Sequence, residues 1–409
     1  MTESRTILHL DLDAFFCAVE VIRDPSLEGQ PFAVGGTPED RGVVASCSYA
    51  ARKFGVRSAM PMGQALRLCP GLKVVSHHGG YGSYSKKVMV LLDAVTPYVE
   101  QISIDECFID VTDIDAPANT VARRIQRRIQ DELRLPSSLG GATSKLVAKI
   151  ATNVGKDRAQ TDGWPNAVLI VPPGEERAFL APLPVRAMWG VGPKMAERLE
   201  AQGIRTLADL QCLGDDALVA RFGSTGRKFH AHACGIDERG VEPGGEAAKS
   251  ISHETTFAED LHEAGRLHAV LLRLSQLVGR SLRDGGLTCR TVTIKLRWSD
   301  FKTITRRVTF RDGTDLDHDL YRAAKRLFDN AWQPGQRVRL LGVGASQLSD
   351  GGQQLSLWQS GDDRDHRIQA ALDTLRDRFG GGKTRWGQEL NQRGFVAEED
   401  DDAWWEADA

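Results

Sequence analysis

The sequence predicts a mixed α/β (α+β) chain built from more than one domain. Three observations carry that prediction. Short apolar runs with the bounds of buried strands recur along the first 171 residues, and between them Val121, Ile125, Ile129 and Leu133 repeat at helical spacing. A second unit opens beyond a stretch rich in Gly, Glu and Pro, and residues 291–298 alternate there with a period of two. The chain has 409 residues, more than the ~250–300 at which a single core stops growing.

The elements follow in chain order. Residues 6–10 form the first strand, and Asp11 and Asp13 stand at its end. An acid at the end of a buried run is costly unless a cation or hydrogen bonds compensate it. Asp13 is expected to cap a helix over residues 14–20. Further strands are expected at residues 42–46, 99–103, 108–111 and 167–171. Between the third and fourth lie Asp105 and Glu106, flanked by Ile102 and Ile104 on one side and Phe108, Ile109 and Val111 on the other. A hairpin bend there presents both acids. Brought together, the two strand ends gather Asp11, Asp105 and Glu106 into an oxygen-rich site suited to a hard cation such as Mg²⁺. Ordinary exposed acids at strand ends are the alternative reading.

Pro172-Pro173-Gly174 closes this unit, and residues 175–236 read as short helices. Within them, Trp189-Gly190-Val191-Gly192-Pro193-Lys194 precedes the apolar positions Ala196, Leu199, Ile204 and Leu207. A Gly-x-Gly between helices is either a tight turn or a backbone cradle for a phosphate. In residues 291–298, Val292, Ile294, Leu296 and Trp298 are expected to face the core, with Thr291, Thr293, Lys295 and Arg297 outward. Gly351-Gly352 opens a tail, in which Ile368, Leu372, Leu375 and Phe379 suggest a short helix before an acidic end.

Composition narrows the function classes. A hydrophobic share of 41% and a charged share of 26% are those of an ordinary soluble protein. No apolar run approaches the ~20 residues of a membrane span, and residues 1–5 read as lacking a signal peptide's apolar core. Seven scattered cysteines without a CxxC pair favour reduced thiols in a cytoplasmic protein. The net charge is -3, yet Glu398, Glu399, Asp400, Asp401, Asp402, Glu406 and Asp408 crowd the C-terminus, and without those seven acids it is +4. Residues 280–311 carry nine Lys and Arg, among them Arg306 and Arg307, against Asp284 and Asp300. Such a patch attracts phosphate backbones, unless it is an ordinary solvated face.

His9-Leu10-Asp11-Leu12-Asp13-Ala14-Phe15-Phe16, Ser103-Ile104-Asp105-Glu106 and the run from Ser46 through Tyr49 and Arg52 to Pro61 together resemble the Y-family translesion DNA polymerases, in particular the bacterial DNA polymerase IV branch. The likeness covers most of residues 5–348 in the family's order. It implies a right-hand polymerase: a ferredoxin-like palm (1–11 and 76–172), inserted fingers (12–75), a helical thumb with a helix-hairpin-helix (173–236), a linker (237–248), a little finger (249–348) and a tail (349–409).

The resemblance also implies the chemistry. A primer 3′-hydroxyl attacks the α-phosphate of a deoxynucleoside triphosphate, with low fidelity and no proofreading, and two Mg²⁺ ions ~3.5–4 Å apart assist, Mn²⁺ being a substitute. Asp11, Asp105 and Glu106, with the backbone carbonyl of Leu12, are the implied ligands. Ser46, Tyr49 and Arg52 match triphosphate-contacting positions, as does Lys156, although Lys156-Asp157-Arg158-Ala159 departs from the family's Lys-Pro-Asn-Gly and leaves Lys149 or Arg158 as substitutes. Phe16 matches the sugar-discriminating position, while Phe15 is assigned to the core. Gly190, Gly192, Lys295, Arg297, Arg306 and Arg307 are the implied DNA contacts. Gln354-Leu355-Ser356-Leu357-Trp358 resembles a sliding-clamp docking peptide, and a short edge strand is its alternative. The expected partners are primer-template DNA, deoxynucleoside triphosphates and the clamp, for a monomer without a membrane. A non-catalytic DNA-bound scaffold and a nucleotide cyclase are the competing readings. The clustered acids argue against the first; the helix-hairpin-helix and the basic second unit argue against the second.

Overall fold

Strand β1 (Ile7–Leu12) is buried on both faces, and the first unit is arranged around it. The structure is a computed structural model that describes residues 5–159, 161, 163–244, 247–350 and 362–379. After β1 come α1 (Phe15–Arg23), β2 (Phe32–Gly35), β3 (Val44–Cys47), α2 (Tyr49–Arg52), α3 (Met62–Leu68), β4 (Lys73–Val75), α4 (Tyr81–Asp93), β5 (Val99–Gln101), β6 (Glu106–Asp110), α5 (Ala118–Leu133), β7 (Ser137–Ala142), α6 (Lys145–Arg158) and β8 (Val168–Ile170). The main sheet has the order β5-β6-β1-β7-β8. Its β1-α4-β5-β6-α5-β7 path, with antiparallel neighbours, is the ferredoxin-like βαββαβ pattern, to which β8 adds in parallel. A small sheet, β3-β2-β4, is inserted between β1 and α4.

The two-residue period of β1 separates its faces. Leu8, Leu10 and Leu12 enter the core under α4 and α5, with Val88, Leu92, Val121, Ile125 and Ile129. Ile7 enters the opposite core with Leu146, Val147 and Ile150 of α6. This double cover explains why the strand reads as a nearly continuous apolar run rather than an alternating one.

Strand β7 pairs with β1 along its whole length, yet its sequence, Ser137-Ser138-Leu139-Gly140-Gly141-Ala142, carries no strand signal. Close packing explains the glycines. A Cβ on Gly140 would lie 2.1 Å from the Ala148 carbonyl oxygen of α6, and one on Gly141 would lie 2.5 Å from Ile170. Gly140→Ala would therefore force α6 off the sheet.

The helical segment contains α7 (Glu176–Leu180), α8 (Pro193–Glu200), α9 (Leu207–Cys212), α10 (Asp215–Phe222) and α11 (Ser224–Ala233). Leu199, Ile204, Leu207 and Leu210 join the α6 core. The following residues were expected to be linker throughout, but 237–242 are docked onto the first unit. Asp237 accepts from the Leu146 amide, Lys145 donates to the Gly240 carbonyl, and the Glu242 amide donates to Glu100.

The second unit runs β9 (Ser250–Leu261), α12 (Ala264–Asp284), β10 (Leu287–Trp298), β11 (Thr303–Thr314), α13 (Asp317–Ala331), β12 (Val338–Asp350) and α14 (Asp362–Phe379). Its antiparallel sheet has the order β11-β10-β12-β9. Val292, Ile294 and Leu296 face Leu267, Leu271 and Phe328 of the helices, as the period of two requires.

In α14 the apolar stripe is not the buried face. Ile368, Leu375 and Phe379 are exposed. Instead Gln369, Asp373 and Arg376 meet Arg283 and Asp317, so charge and amide pairing seat this helix. All seven cysteines are unpaired, and five of them are buried.

Candidate active site

The register of β1 sets the site. Ile7, His9 and Asp11 share its α6-facing side, and Asp11 lies opposite Glu106 on β6. Helix α6 brings lysines down onto this row of acids. Lys145 pairs with Glu100 at 2.5 Å, Lys149 with Glu106 at 2.7 Å, and Lys156 with Asp11 at 2.5 Å. Positions 145, 149 and 156 recur at helical spacing, so one face of α6 carries all three.

Lys156 also reaches Asp13, at 3.0 Å. Asp13 is completely buried and does not cap α1, whose N-cap is Ala14 in the left-handed conformation with no side-chain bond. That turn at Ala14, φ 44°, sends the Asp13 carboxylate toward β7, where it accepts from the Ser138 hydroxyl and the Asn166 amide. Backbone tension of this kind costs about 1–3 kcal/mol and collects at functional sites.

Burial pushes the Asp11 carboxyl up to about 7, against the pull of Lys156 and with the help of the Glu106 and Asp13 charges. For Lys156, burial works against the ammonium, but Asp11 and Asp13 outweigh it and raise its pKa. The lysine therefore stays charged. Burial and then the Lys149 and Lys156 charges hold His9 well below the usual imidazole range, so it stays neutral. Its Nδ1 meets the Thr152 hydroxyl at 2.9 Å.

A cavity of about 490 Å³ opens at this end of the sheet. Asp11, Leu12, Phe16, Ser46, Tyr49, Arg52, Asp105 and Lys156 line it, eight of the residues singled out from sequence. Helix α2 holds Tyr49 and Arg52 on one side, with the guanidinium over the tyrosine ring at 4.4 Å. The Tyr49 hydroxyl is buried and has no hydrogen-bond partner among the described residues. Burial pushes it up to about 12, so it remains a donor. A buried donor without an acceptor is costly, and a phosphate oxygen in the cavity would relieve it. Phe16 packs on Tyr81 at 4.5 Å and leaves its other side to the cavity. Phe15 is buried in the core.

The residues fit a hard divalent ion by chemistry, because carboxylate oxygens dominate and the buried acids need positive charge. They are not gathered to one point. Among the described residues no three acidic, His or Cys side chains are set to hold a metal. Asp11 is held by Lys156, Glu106 by Lys149, and Asp105 accepts from the Ser103 hydroxyl at 2.6 Å. Ion binding requires release of these partners. Of the three basic candidates, Lys156 lines the cavity, Lys149 is occupied by Glu106, and Arg158 is exposed. Sequence reasoning missed Ser58 and Asn153 in the lining. Asn153 stands three residues before Lys156, so the helical period of α6 was a usable signal.

The other candidates are not among the residues that line the cavity. Gly190 has φ 92°, and Gly192 is the N-cap of α8, with Pro193 in its first turn. In the second unit, Thr293, Arg297 and Arg307 share the sheet face without helices, whereas Arg306 lies opposite Ile294 and so on the other face. Thr291, expected outward, is buried and bonded to Thr309 and Gln347. Lys295 pairs with Glu254, while Arg280 and Arg283 bind acids of α14, so part of the basic segment is neutralised within the fold. The peptide 354–358 lies outside the described residues.

Comparisons with known proteins add to this geometry. The model of the impB/mucB/samB family matches residues 10–153, that of its C-terminal domain residues 248–357, and that of the IMS family HHH motif residues 173–204. DNA polymerase IV of Desulfatibacillum aliphaticivorans is 41% identical over 393 residues, covering 93% of this chain and 96% of that protein. DNA polymerase IV of Streptomyces coelicolor (strain ATCC BAA-471 / A3(2) / M145) is 42% identical over 371 residues, 89% of this chain and 75% of that protein. The solved Y-family DNA polymerase chimera Dbh-Dpo4(243-245)-Dbh shares the fold with a TM-score of 0.74 at 24% identity, covering 84% of this chain and 98% of its own.

Proposed function

The chain belongs to the impB/mucB/samB family of Y-family DNA polymerases, and on that premise we propose how its cavity extends a primer. The activity is template-directed DNA synthesis of the translesion type. The observation that carries the residue assignment is the meeting of Asp11, Asp105, Phe16, Tyr49, Arg52 and Lys156 around one cavity.

The family is metal-dependent. We assign two Mg²⁺ ions, with Mn²⁺ as a substitute, to Asp11, the Leu12 carbonyl, Asp105 and Glu106. When bound, such ions activate the attacking primer oxygen and neutralise charge on the leaving pyrophosphate. The chain's own residues do the rest. Arg52 grips the triphosphate through its fork, and the Tyr49 and Ser46 hydroxyls donate to phosphate oxygens. With a triphosphate in the cavity, Lys156 would leave Asp11 for a phosphate oxygen and so free the Asp11 carboxylate to hold an ion. Phe16 presents a flat ring to the sugar and leaves no room for a 2′-hydroxyl. His9, kept neutral by burial and fixed by Thr152, supports the sheet beneath.

Gly190 and Gly192 cradle a DNA phosphate at the start of α8. Thr293, Arg297 and Arg307 offer the open sheet face of the second unit to the duplex backbone, a contact that carries little sequence information and suits damaged templates. The 354–358 peptide docks on a sliding clamp. The protein works as a monomer in the cytoplasm; among the described residues no helix is long and apolar enough to cross a membrane.

Primer extension tests the assignment. Asp105→Ala and Glu106→Ala are each expected to abolish Mg²⁺-dependent extension while primer-template binding persists. Near wild-type extension by both variants would remove the metal site from these residues.

A further inference from the structure

Glu20 is a buried carboxylate with no part in the mechanism above. It lies on α1 one turn beyond Phe16 and is 3% exposed. A buried charge is costly unless fully paired, and Glu20 is paired on every side. One oxygen accepts from the Tyr81 hydroxyl at 2.7 Å and from Arg23 at 2.8 Å, and the other meets Nδ1 of His78 at 3.0 Å. Arg23 in turn donates to the Gly79 carbonyl at 2.7 Å. The approach is so close that a Cβ on Gly80 would lie 2.9 Å from the guanidinium. Glu20 and Arg23 thus fasten the turn before α4 onto α1.

That turn carries the backing of Phe16. The Tyr81 ring stands 4.5 Å from Phe16, and the His77 ring stands 5.1 Å from Phe16 and 4.5 Å from Tyr81. Phe16 is half-buried, with the cavity on its free side, so what lies behind the ring sets how far it projects. Burial, then the hydrogen bond and charge of Glu20, raise the Tyr81 pKa, so the phenol keeps its proton and remains the donor.

We propose that Glu20 is a positioning residue for sugar selection: by holding Tyr81, Arg23 and His78 it fixes the wall behind Phe16 and so the depth of that ring in the nucleotide cavity. This rests on reading Phe16 as the sugar gate. A gate that recedes admits a 2′-hydroxyl while the deoxy sugar still fits. The signature is therefore a change in sugar preference with little change in deoxynucleotide use. A mere structural anchor would lower both alike.

The test is single-nucleotide extension by the full chain with Mg²⁺, comparing kcat/KM for dCTP and CTP opposite template dG. Glu20→Ala is expected to lower the dCTP/CTP preference about tenfold, with kcat/KM for dCTP within about threefold of wild type, since small misplacements of a positioning wall cost on this scale. Glu20→Gln keeps an acceptor for Tyr81 and is expected to restore the preference. Tyr81→Phe removes only the hydroxyl and is expected to move it in the same direction as Glu20→Ala. In a Phe16→Ala background, Glu20→Ala is expected to add nothing. A folded Glu20→Ala protein with wild-type preference, beside a Phe16→Ala protein that has lost it, overturns the proposal and leaves the gate standing. Where Glu20→Ala does not fold, wild-type preference in Tyr81→Phe overturns it equally. Wild-type preference in Phe16→Ala itself overturns the gate reading beneath it.

Discussion

Replacing Lys156 with alanine removes the ammonium shared by two buried acids. In the wild-type fold Lys156 lies 2.5 Å from Asp11 and 3.0 Å from Asp13, whose side chains are 17% and 0% exposed. Removing one partner of a buried pair costs about 3–5 kcal/mol, because the remaining charge stays desolvated. In a unit of this size each kcal/mol lowers Tm by roughly 2–4 °C, so the loss is about 6–20 °C.

The pH dependence has a definite sign. Asp11 titrates at about 7 in the fold, above the ~3.9 of an unfolded chain. A carboxyl raised in this way destabilises the fold increasingly as pH rises from about 4 through its folded pKa. Without Lys156 the pKa moves higher still, so the folded variant must hold a proton that the unfolded chain gives up, and the cost of holding it grows with pH. The Tm gap between wild type and Lys156→Ala is therefore expected to widen from pH 6 to pH 8. Mg²⁺ is expected to narrow it by supplying the missing charge. Thermal unfolding of the full chain at both pH values, with and without Mg²⁺, measures this. In steady-state extension, losing one charge-assisted phosphate contact worth about 1.5–3 kcal/mol should lower kcat/KM for the nucleotide about ten- to a hundredfold. A variant with wild-type Tm at pH 8 and unchanged kcat/KM would refute both the buried pairing and the phosphate role.

Phe16→Ala is expected to raise ribonucleotide use roughly ten- to a hundredfold relative to deoxynucleotides; unchanged preference in a folded variant removes the gate. Arg297→Ala combined with Arg307→Ala should weaken primer-template binding alike for all sequences and reduce the salt slope by about 2, one for each phosphate contact. Arg306→Ala, on the other sheet face, should change it less, and an equal effect would mean that the register does not decide the DNA face. Changing Leu355, Leu357 and Trp358 together to alanine should leave extension of short primers intact and remove stimulation by a clamp; retained stimulation would place docking elsewhere.

The strands that carry the acids were legible because burial leaves a local mark. Ile7, Leu8 and Leu10 announce β1, and Ile109 and Val111 follow Asp105 and Glu106 as a hairpin requires. The helix of residues 118–133 was equally plain from its 3.6-residue period. Family membership was legible too, because several motifs stand in register along the chain. β7 was not, since close approach of α6 to Gly140 and of Ile170 and Leu8 to Gly141 leaves room only for glycine there, and packing is a tertiary demand that overrides strand propensity.

The sequence by itself determined which residue types the site uses, and their order along the chain. Only the tertiary structure decided what holds them. Asp13 looks like a helix cap in sequence, yet the left-handed turn at Ala14 turns it inward to Ser138, Asn166 and Lys156. The lysines of α6 meet the acids of β5, β6 and β1 because one face of the helix carries all three lysines and the sheet sets those three strands side by side. The same holds for Arg280 and Arg283, which look like DNA contacts in a basic segment but close on acids of α14. Charge partners are set by distance in space, and pairs such as Lys149–Glu106, Arg283–Asp373 and Lys156–Asp11, 43, 90 and 145 positions apart, leave no local signal of their pairing.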